Sequence, residues 1–447
     1  MDIKHCLVDT PEPNLIRDQF PAGEIPRLVI DKDRVPAEPA KEIWITDTTF
    51  RDGQQARPPF TVEQISHLFD LMHRLSGPKG IIRQSEFFLY SRRDWEALTT
   101  CLAKGYEFPQ VTGWIRAVAK DFELVRQAGL TETGILTSIS DYHIFIKLMK
   151  SRRAAIDSYM AIVKAAADAG LKAVRCHFED VTRADFWGCV LPFALELRRF
   201  SEESGLRVKI RLCDTMGYGL PMNDAALPRS IPKMVYYLKK ETGIPEENLE
   251  WHGHNDFHRA HVNSVCAWLS GVSAANGALC GLGERTGNSP VEALAIEYAS
   301  IRGTTDGMDL PVITEIAEYL VRIGVVIPDN FPFVGRDFTA TGAGIHADGL
   351  IKAPEVYCVF DTNKVLGRQP TVIITDKVGI AGVAFWVQSE LRRRGQDVKL
   401  DKRDPRVFQI HEWVTREFEN GRTTSISNQE MLEQARLHFK EYFPDVC

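Results

Sequence analysis

The chain has 447 residues, 44% of them apolar and 26% charged, with a formal net charge of −6. That length allows one barrel of roughly 250 residues with an appended region, and the acidic balance offers no footprint for nucleic acid. No apolar run approaches the roughly 18 residues of a membrane span, and nine scattered cysteines with no C-x-x-C pair read as free thiols.

The N-terminus carries Asp2, Lys4 and His5 and then a Pro-rich stretch, not a charged-then-apolar leader. The cytoplasm is the compartment this predicts. Residues 1–42 hold Pro11, Pro13, Pro21, Pro26, Pro36 and Pro39, which predicts an irregular arm lying on the body or on a neighbouring subunit. Apolar, β-rich segments follow near 43–48, 80–89, 109–116, 133–139, 172–179, 208–214, 248–254 and 275–281. Helical patterns lie between most of them. Residues 61–75 open with Thr61 and place Glu63 in the first turn, and 152–169 stop at Gly170. Eight strands alternating with helices predict an α/β fold, a (β/α)8 TIM barrel over residues 43–305. Beyond it the alternation breaks down. Residues 310–326 look helical, 328–345 are rich in Gly, Pro and Phe, and 352–447 are again largely helical. Residues 306–447 therefore form a mainly helical C-terminal region.

Barrel active sites sit at the C-terminal ends of the strands, and there the chemistry-bearing residues gather. His252 and His254 stand at i and i+2, so on a strand both point the same way. Asp52 follows the first strand, and strands 7, 8 and 1 are neighbours in a closed barrel. Two imidazoles and a carboxylate suit a divalent metal with open positions. Arg51 beside them is placed to stabilise negative charge on a carbonyl oxygen. Asn288 either caps the helix that begins near Pro290 or joins the metal shell. Arg175, His177 and Glu179 alternate on strand 5 and face inward, as an ion-pair network or as working groups. Glu86 on strand 2 and Asp214-Thr215 at the end of strand 6 sit similarly. Asp141 and His143 line the mouth or cap the next helix. His346, flanked by glycines on an expected loop, suits proton transfer or is structural. His258 and His261 are expected on the helix after strand 7, outside the metal shell.

Taken together, Asp47-Thr48-Thr49-Phe50-Arg51-Asp52-Gly53-Gln54-Gln55, His252-Gly253-His254-Asn255-Asp256, Gly283-Glu284-Arg285-Thr286-Gly287-Asn288 and Gly344-Ile345-His346-Ala347-Asp348-Gly349 resemble the aldolase-type-barrel acyltransferases. That family includes homocitrate, 2-isopropylmalate, citramalate and Re-citrate synthases. The resemblance implies a Claisen condensation of an acyl-CoA, usually acetyl-CoA, with a 2-oxo acid, followed by thioester hydrolysis. It implies Asp52, His252 and His254 as metal ligands, with Asn288 completing the shell in some members. The metal is Mn²⁺ first, with Mg²⁺, Co²⁺ or Zn²⁺ as alternatives. Arg51 would polarise the keto group. Gln55, Glu86, Arg175, His177 and Thr215 would line the substrate. His346, with Glu179 and Tyr357, would handle the methyl proton. The family's histidine segment reaches the other subunit's barrel, which implies a homodimer with shared sites.

Departures from the family pattern bear on the substrate. Gln54 stands for a glutamate, His258 for a glycine, and His177 for a small hydroxyl residue of homocitrate synthases. Ala117 and Val118 follow Arg116 where those enzymes carry a histidine for the distal carboxylate of 2-oxoglutarate. The C-terminal region is short for a leucine-sensing domain. The arm and Ser85-Glu86-Phe87-Phe88 resemble the Re-citrate synthase branch, which favours oxaloacetate and citrate. The alternatives are the other three synthases, a hydroxyacyl-CoA or 4-hydroxy-2-oxo acid lyase on the same barrel, and a noncatalytic metal-stabilised binding protein.

Overall fold

Strict alternation along each strand builds the wall of this protein. On the fifth strand Val174, Cys176 and Phe178 are fully buried against the helices, while Arg175 and His177 turn inward. The computed structural model describes residues 5–21, 27–31, 33–396 and 398–443. Asp2, Lys4, Pro26 and the last four residues lie outside the described residues. The strands are Trp44–Asp47 (β1), Ile82–Phe88 (β2), Gln110–Ile115 (β3), Glu132–Ser138 (β4), Ala173–Glu179 (β5), Arg207–Asp214 (β6), Leu249–Gly253 (β7) and Ala274–Gly277 (β8). They close in sequential order into a parallel barrel, with β1 hydrogen-bonded to β8 through Trp44↔Ala274 and Asp47↔Gly277. The expected (β/α)8 barrel is the observed fold. β8 is shorter than the segment read from the sequence. Residues 279–281 leave the wall as a tight turn, with Cys280 at φ 52.

Local chemistry sets the helix ends. Thr61 caps Val62–Ser76 through a reciprocal box with Gln64, and Ser151 caps Arg152–Asp168 from its hydroxyl. Helices pack on the outer wall through residues such as Phe178 and Phe193, stacked at 5.1 Å.

Barrel interiors are ordinarily filled by branched apolar side chains. This one is filled with charge. Arg51, Arg175, Lys209 and Arg211 meet Asp52, Glu86, Glu132 and Glu250 in one chain of pairs. The signs balance four against four, so no charge among these eight is buried without an opposite.

The described part of the N-terminal arm lies on its own barrel. Val8 N–H donates to Gly188 O (3.0 Å), Asn14 N–H to Asp141 (2.7 Å), and Tyr142 Oη–H to Leu15 O (2.8 Å). Further along, Asn223 exchanges two hydrogen bonds with the Val35 backbone, and Ile30 bridges Ala225. Asp141 caps nothing: it holds Arg152 bidentately at 2.8 and 2.8 Å and receives the arm.

The chain divides into two compact units, Met1–Asp309 and Leu310–Cys447. The second is helical, with helices at Val312–Arg322, Gly344–Lys352, Thr362–Leu366, Gly379–Arg393, Pro405–Glu419 and Asn428–His438. Its core is built from Val383, Val387, Leu391, Val407, Ile410 and Met431 among others. Among the described residues, no helix is long and apolar enough to cross a membrane.

Candidate metal centre and active site

Asp52, His252 and His254 converge at the C-terminal end of the barrel, all buried, with one ligand atom from each lying within 4.8 Å of the others. The two Nε2 atoms are 3.2 Å apart, and each lies 3.9 Å from Asp52 Oδ2. His254 falls one residue past the end of β7, where its backbone bridges Asn288. That bridge brings Asn288 to the site. Its Nδ2–H donates to Asp52 Oδ1 (3.0 Å) and Leu282 O (2.7 Å), while its Oδ1 is buried without a partner. The helix Val291–Arg302 begins without a side-chain cap, so the capping role considered for Asn288 is not the one it plays. Gly283 permits this close approach, because a Cβ there would collide with the Asn288 amide and come 3.0 Å from Asp52.

Each ligand is prepared for a cation. His252 Nδ1–H donates to Asn276 Oδ1 (2.8 Å), and Asn276 in turn donates to Thr46 Oγ1 (2.9 Å). Thr46 Oγ1 donates to Glu250. This chain leaves the His252 Nε2 lone pair facing the centre. Burial lowers His252 to about 3, with His254, Arg211 and Arg51 adding to the effect against Asp52, so the ring is neutral at working pH. Burial lowers His254 in the same direction. Burial opposes ionisation of Asp52, but the Arg51 guanidinium, with the Asn288 N–H adding to it, outweighs burial and holds the carboxyl well below its usual range. Neutral imidazoles, an ionised carboxylate and an unpartnered amide oxygen fit a divalent metal.

Arg51 is buried. Its Nε–H donates to Glu86 Oε2 (2.8 Å) and its Nη1 to Asp52 Oδ2 (3.0 Å), with Gln55 Oε1 at 3.5 Å. Gln55 itself is exposed, whereas Gln54 is spent on the loop backbone of Phe50 and Phe60. Burial opposes ionisation of Glu86, but Arg211 and Arg51 outweigh it and hold the carboxyl well below the carboxylate range. His177 Nε2 and Glu86 Oε1 are buried 3.5 Å apart with no hydrogen-bond partner, two polar atoms left for a ligand. Gly134 on β4 makes room for them, since a Cβ there would stand 2.5 Å from His177 Nε2. Burial and the nearby Arg211 lower His177 to about 3.

Arg175 is more occupied than a substrate ligand would be. Its Nη1 is spent on Glu250 (3.1 Å) and its Nη2 on Glu132 (3.2 Å), so it braces the floor of the site. Thr215 is half-buried at the mouth, where its Oγ1 accepts the Asp180 N–H (2.8 Å). Glu179 is held by His143 Nδ1 (3.0 Å), Lys147 Nζ (3.0 Å) and Ser138 Oγ. His143 therefore lines the mouth.

In the second unit, His346 lies in the first turns of the helix Gly344–Lys352 and not on a loop. Its Nδ1 is 3.1 Å from Thr341 Oγ1, and its ring stands 4.4 Å from that of Tyr357. His258, expected on the helix after β7, lies before it. It precedes Ala260–Leu269 in the left-handed region at φ 56, a conformation that favours glycine. His261 pairs with Glu297 at 3.6 Å, outside the metal group. Sequence reasoning missed Arg211, Glu250 and Asn276. The first two were readable from the alternation Lys209-Arg211 and Glu250-His252; Asn276 carries no pattern of its own.

A parallel eight-stranded barrel with a buried Asp-His-His group at its mouth and an arginine beside it defines a metal-site barrel of the lyase and acyl-condensing kind. The HMGL-like profile matches residues 42–321, and the chain belongs to that family. It is 53% identical over 438 residues to the Citrate (Re)-synthase of Syntrophus aciditrophicus, covering 98% of this chain and 69% of that protein. It is 47% identical over 421 residues to the Citrate (Re)-synthase of Clostridium kluyveri, covering 94% and 92%. Among solved structures it is similar to the HMG-CoA lyase of Bacillus subtilis, with a TM-score of 0.50, 18% identity and coverage of 66% and 97%. That likeness shows the fold.

Proposed function

We propose that this chain joins acetyl-CoA to oxaloacetate and hydrolyses the thioester to give citrate, as an acyltransferase that converts the acyl group to an alkyl group. The observation that carries this is identity above one half with a Citrate (Re)-synthase over 98% of the chain. The site chemistry supports it. A divalent cation, Mn²⁺ by preference, held by Asp52, His252 and His254 with Asn288 in reach, would supply a Lewis acid for the 2-oxo group.

Arg51 places a guanidinium beside Asp52, where it stabilises charge developing on the keto oxygen. His177, as a neutral donor, and Glu86 orient the oxo acid from below, and Gln55 and Thr215 border it. Arg175 keeps Glu250 and Glu132 in place beneath. Glu179 and the His346–Tyr357 pair handle the proton of the acetyl methyl. A homodimer in the cytoplasm, with the His346 segment completing the partner's site, belongs to the same proposal.

The test is CoA release from acetyl-CoA with Mn²⁺ across oxaloacetate, 2-oxoglutarate, 2-oxoisovalerate and pyruvate. Turnover confined to oxaloacetate is the expected result. Preference for another acid would keep the condensation and replace the product by homocitrate, 2-isopropylmalate or citramalate. Silence with all four would overturn the condensation in favour of lyase chemistry.

A further inference from the structure

The turn that follows β4, Tyr142–Lys147, is wound as a π-helix, a form that concentrates at functional positions. It carries two residues onto one carboxylate. His143 Nδ1 lies 3.0 Å from Glu179 Oε2, and Lys147 Nζ lies 3.0 Å from Oε2 and 3.2 Å from Oε1. Ser138 Oγ donates to Oε2 as well. With the proton on His143 Nδ1, a nitrogen that Lys147 Nζ also approaches to 3.3 Å, one carboxylate oxygen collects three donors and the other keeps a single one. His143 is fixed from behind: its Nε2 faces Asp180 Oδ2 at 3.6 Å, and Asp180 is buried against Ser140 Oγ (2.6 Å) and Arg183 Nε (2.9 Å). The turn is braced on both sides. Ile144 sits fully in the core, and Tyr142 is tied to Leu15 of the arm and covered by Arg183 at 4.1 Å.

We propose that His143 is a positioning residue for the condensation, fixing Oε2 of Glu179 so that Oε1 is the oxygen presented to the reacting methyl group. This rests on the condensation reading, in which Glu179 takes part in proton transfer. Exposure decides between the two donors. Lys147 is 48% exposed and makes a pair of the kind worth little in water, while His143 is 17% exposed and enclosed between Glu179 and Asp180. Burial pushes Glu179 up, but His143, Ser138 and Lys147 outweigh it and bring the carboxyl down to about 2. The other groups facing Glu179 are Tyr159 from the following helix and Cys213 from β6, with Asp180 and Arg183 on its own segment. Burial raises Tyr159 to about 12 and pushes the Cys213 thiol up, so neither supplies an acid limb.

The experiment compares His143→Ala and His143→Asn in the full chain, the asparagine amide standing near the Nδ1 donor it replaces. Two readouts are taken: the pH profile of kcat with acetyl-CoA and oxaloacetate, and the carboxyl titration of Glu179 by ¹³C NMR, assigned with Glu179→Gln. Mn²⁺ affinity within twofold of wild type marks a folded variant. The expected result for His143→Ala is a loss of at least tenfold in kcat with little change in the KM for oxaloacetate. The acid limb should also move up from its wild-type position, because burial then acts on Glu179 with one donor fewer. His143→Asn should recover most of the rate and return the limb. An unmoved limb and titration in His143→Ala, or an asparagine variant as impaired as the alanine one, would overturn the proposal. A wild type silent with all four oxo acids while the titration moves would support the hold on Glu179 and overturn the reading on which its use depends.

Discussion

At the scale of single residues the metal group depends on groups that never touch the cation. His252→Ala should lose Mn²⁺ and turnover together. Asn276→Ala keeps every ligand atom and should still weaken Mn²⁺ binding by roughly 10- to 100-fold, since Asn276 fixes the ring of His252. Titration of Mn²⁺ by electron paramagnetic resonance reads both, and unchanged affinity in Asn276→Ala would remove it from the site. Arg51→Lys should retain metal but lose tenfold or more in kcat, because an ammonium cannot span Glu86 and Asp52 as the guanidinium fork does; a near-normal rate refutes its role. The convergence of Asp52, His252 and His254 was legible because two imidazoles at i and i+2 and an Arg-Asp-Gly turn are rare together. Asn276 was not, for a single asparagine on a short strand acquires meaning only once β8 lies between β7 and β1.

At the scale of the strand, alternation was the informative signal. It located all eight strands to within a few residues and put Arg175, His177 and Glu179 on one face. What it could not supply was who pairs with whom, since the partners of Arg175 lie on β4 and β7. Glu250 meets both Arg175 and Arg211. Glu250→Ala would take one carboxylate from each of two buried guanidinium groups and leave the barrel's four cations facing three anions, and the expected cost is about 3–5 kcal/mol. A urea midpoint within error of wild type would show that water or rearrangement replaces the carboxylate. The tight turn Leu279–Gly281 after β8 makes a second test. Glu292 Oε2 accepts the Cys280 N–H (3.0 Å) while its Oε1 has no partner, and burial raises its carboxyl to about 7. The folded state therefore holds a proton that the unfolded chain releases near 4.5, so stability falls as pH rises between 4.5 and about 7. The size is on the order of 3 kcal/mol. Glu292→Gln should remove this slope and gain stability at pH 7.5. The difference between the two urea curves isolates it from the opposite slope that His177 and His252, both lowered from 6.5, impose below that pH.

At the scale of the whole molecule, the barrel and the helical second unit were both legible from the change in periodicity after the eighth strand. One local conformation was not. The glycines around His346 suggested a loop, whereas the segment is a nine-residue helix, because Ala347 and Leu350 bury in the second unit's core and outweigh the glycine propensity. Nor was the choice between the body and a neighbouring subunit as the seat of the proline-rich arm: it lies on its own barrel through backbone groups such as Val8 N–H and side-chain pairs such as Arg34 with Asp224. His346→Ala should keep Mn²⁺ and oxo-acid binding in calorimetry while losing turnover. Retained turnover would take the second unit's histidine out of the mechanism.

Asp52 and His252 stand two hundred positions apart, and only the pairing of β8 with β1 brings them together. The cation is thus a witness to ring closure. A partly assembled chain, in which the last strand has not docked, has no site for it. Mn²⁺ should slow unfolding without hastening refolding, and at a hundred times its dissociation constant it should add about 2.7 kcal/mol to the closed state. The supply of metal then sets how long the ring, once shut, stays shut.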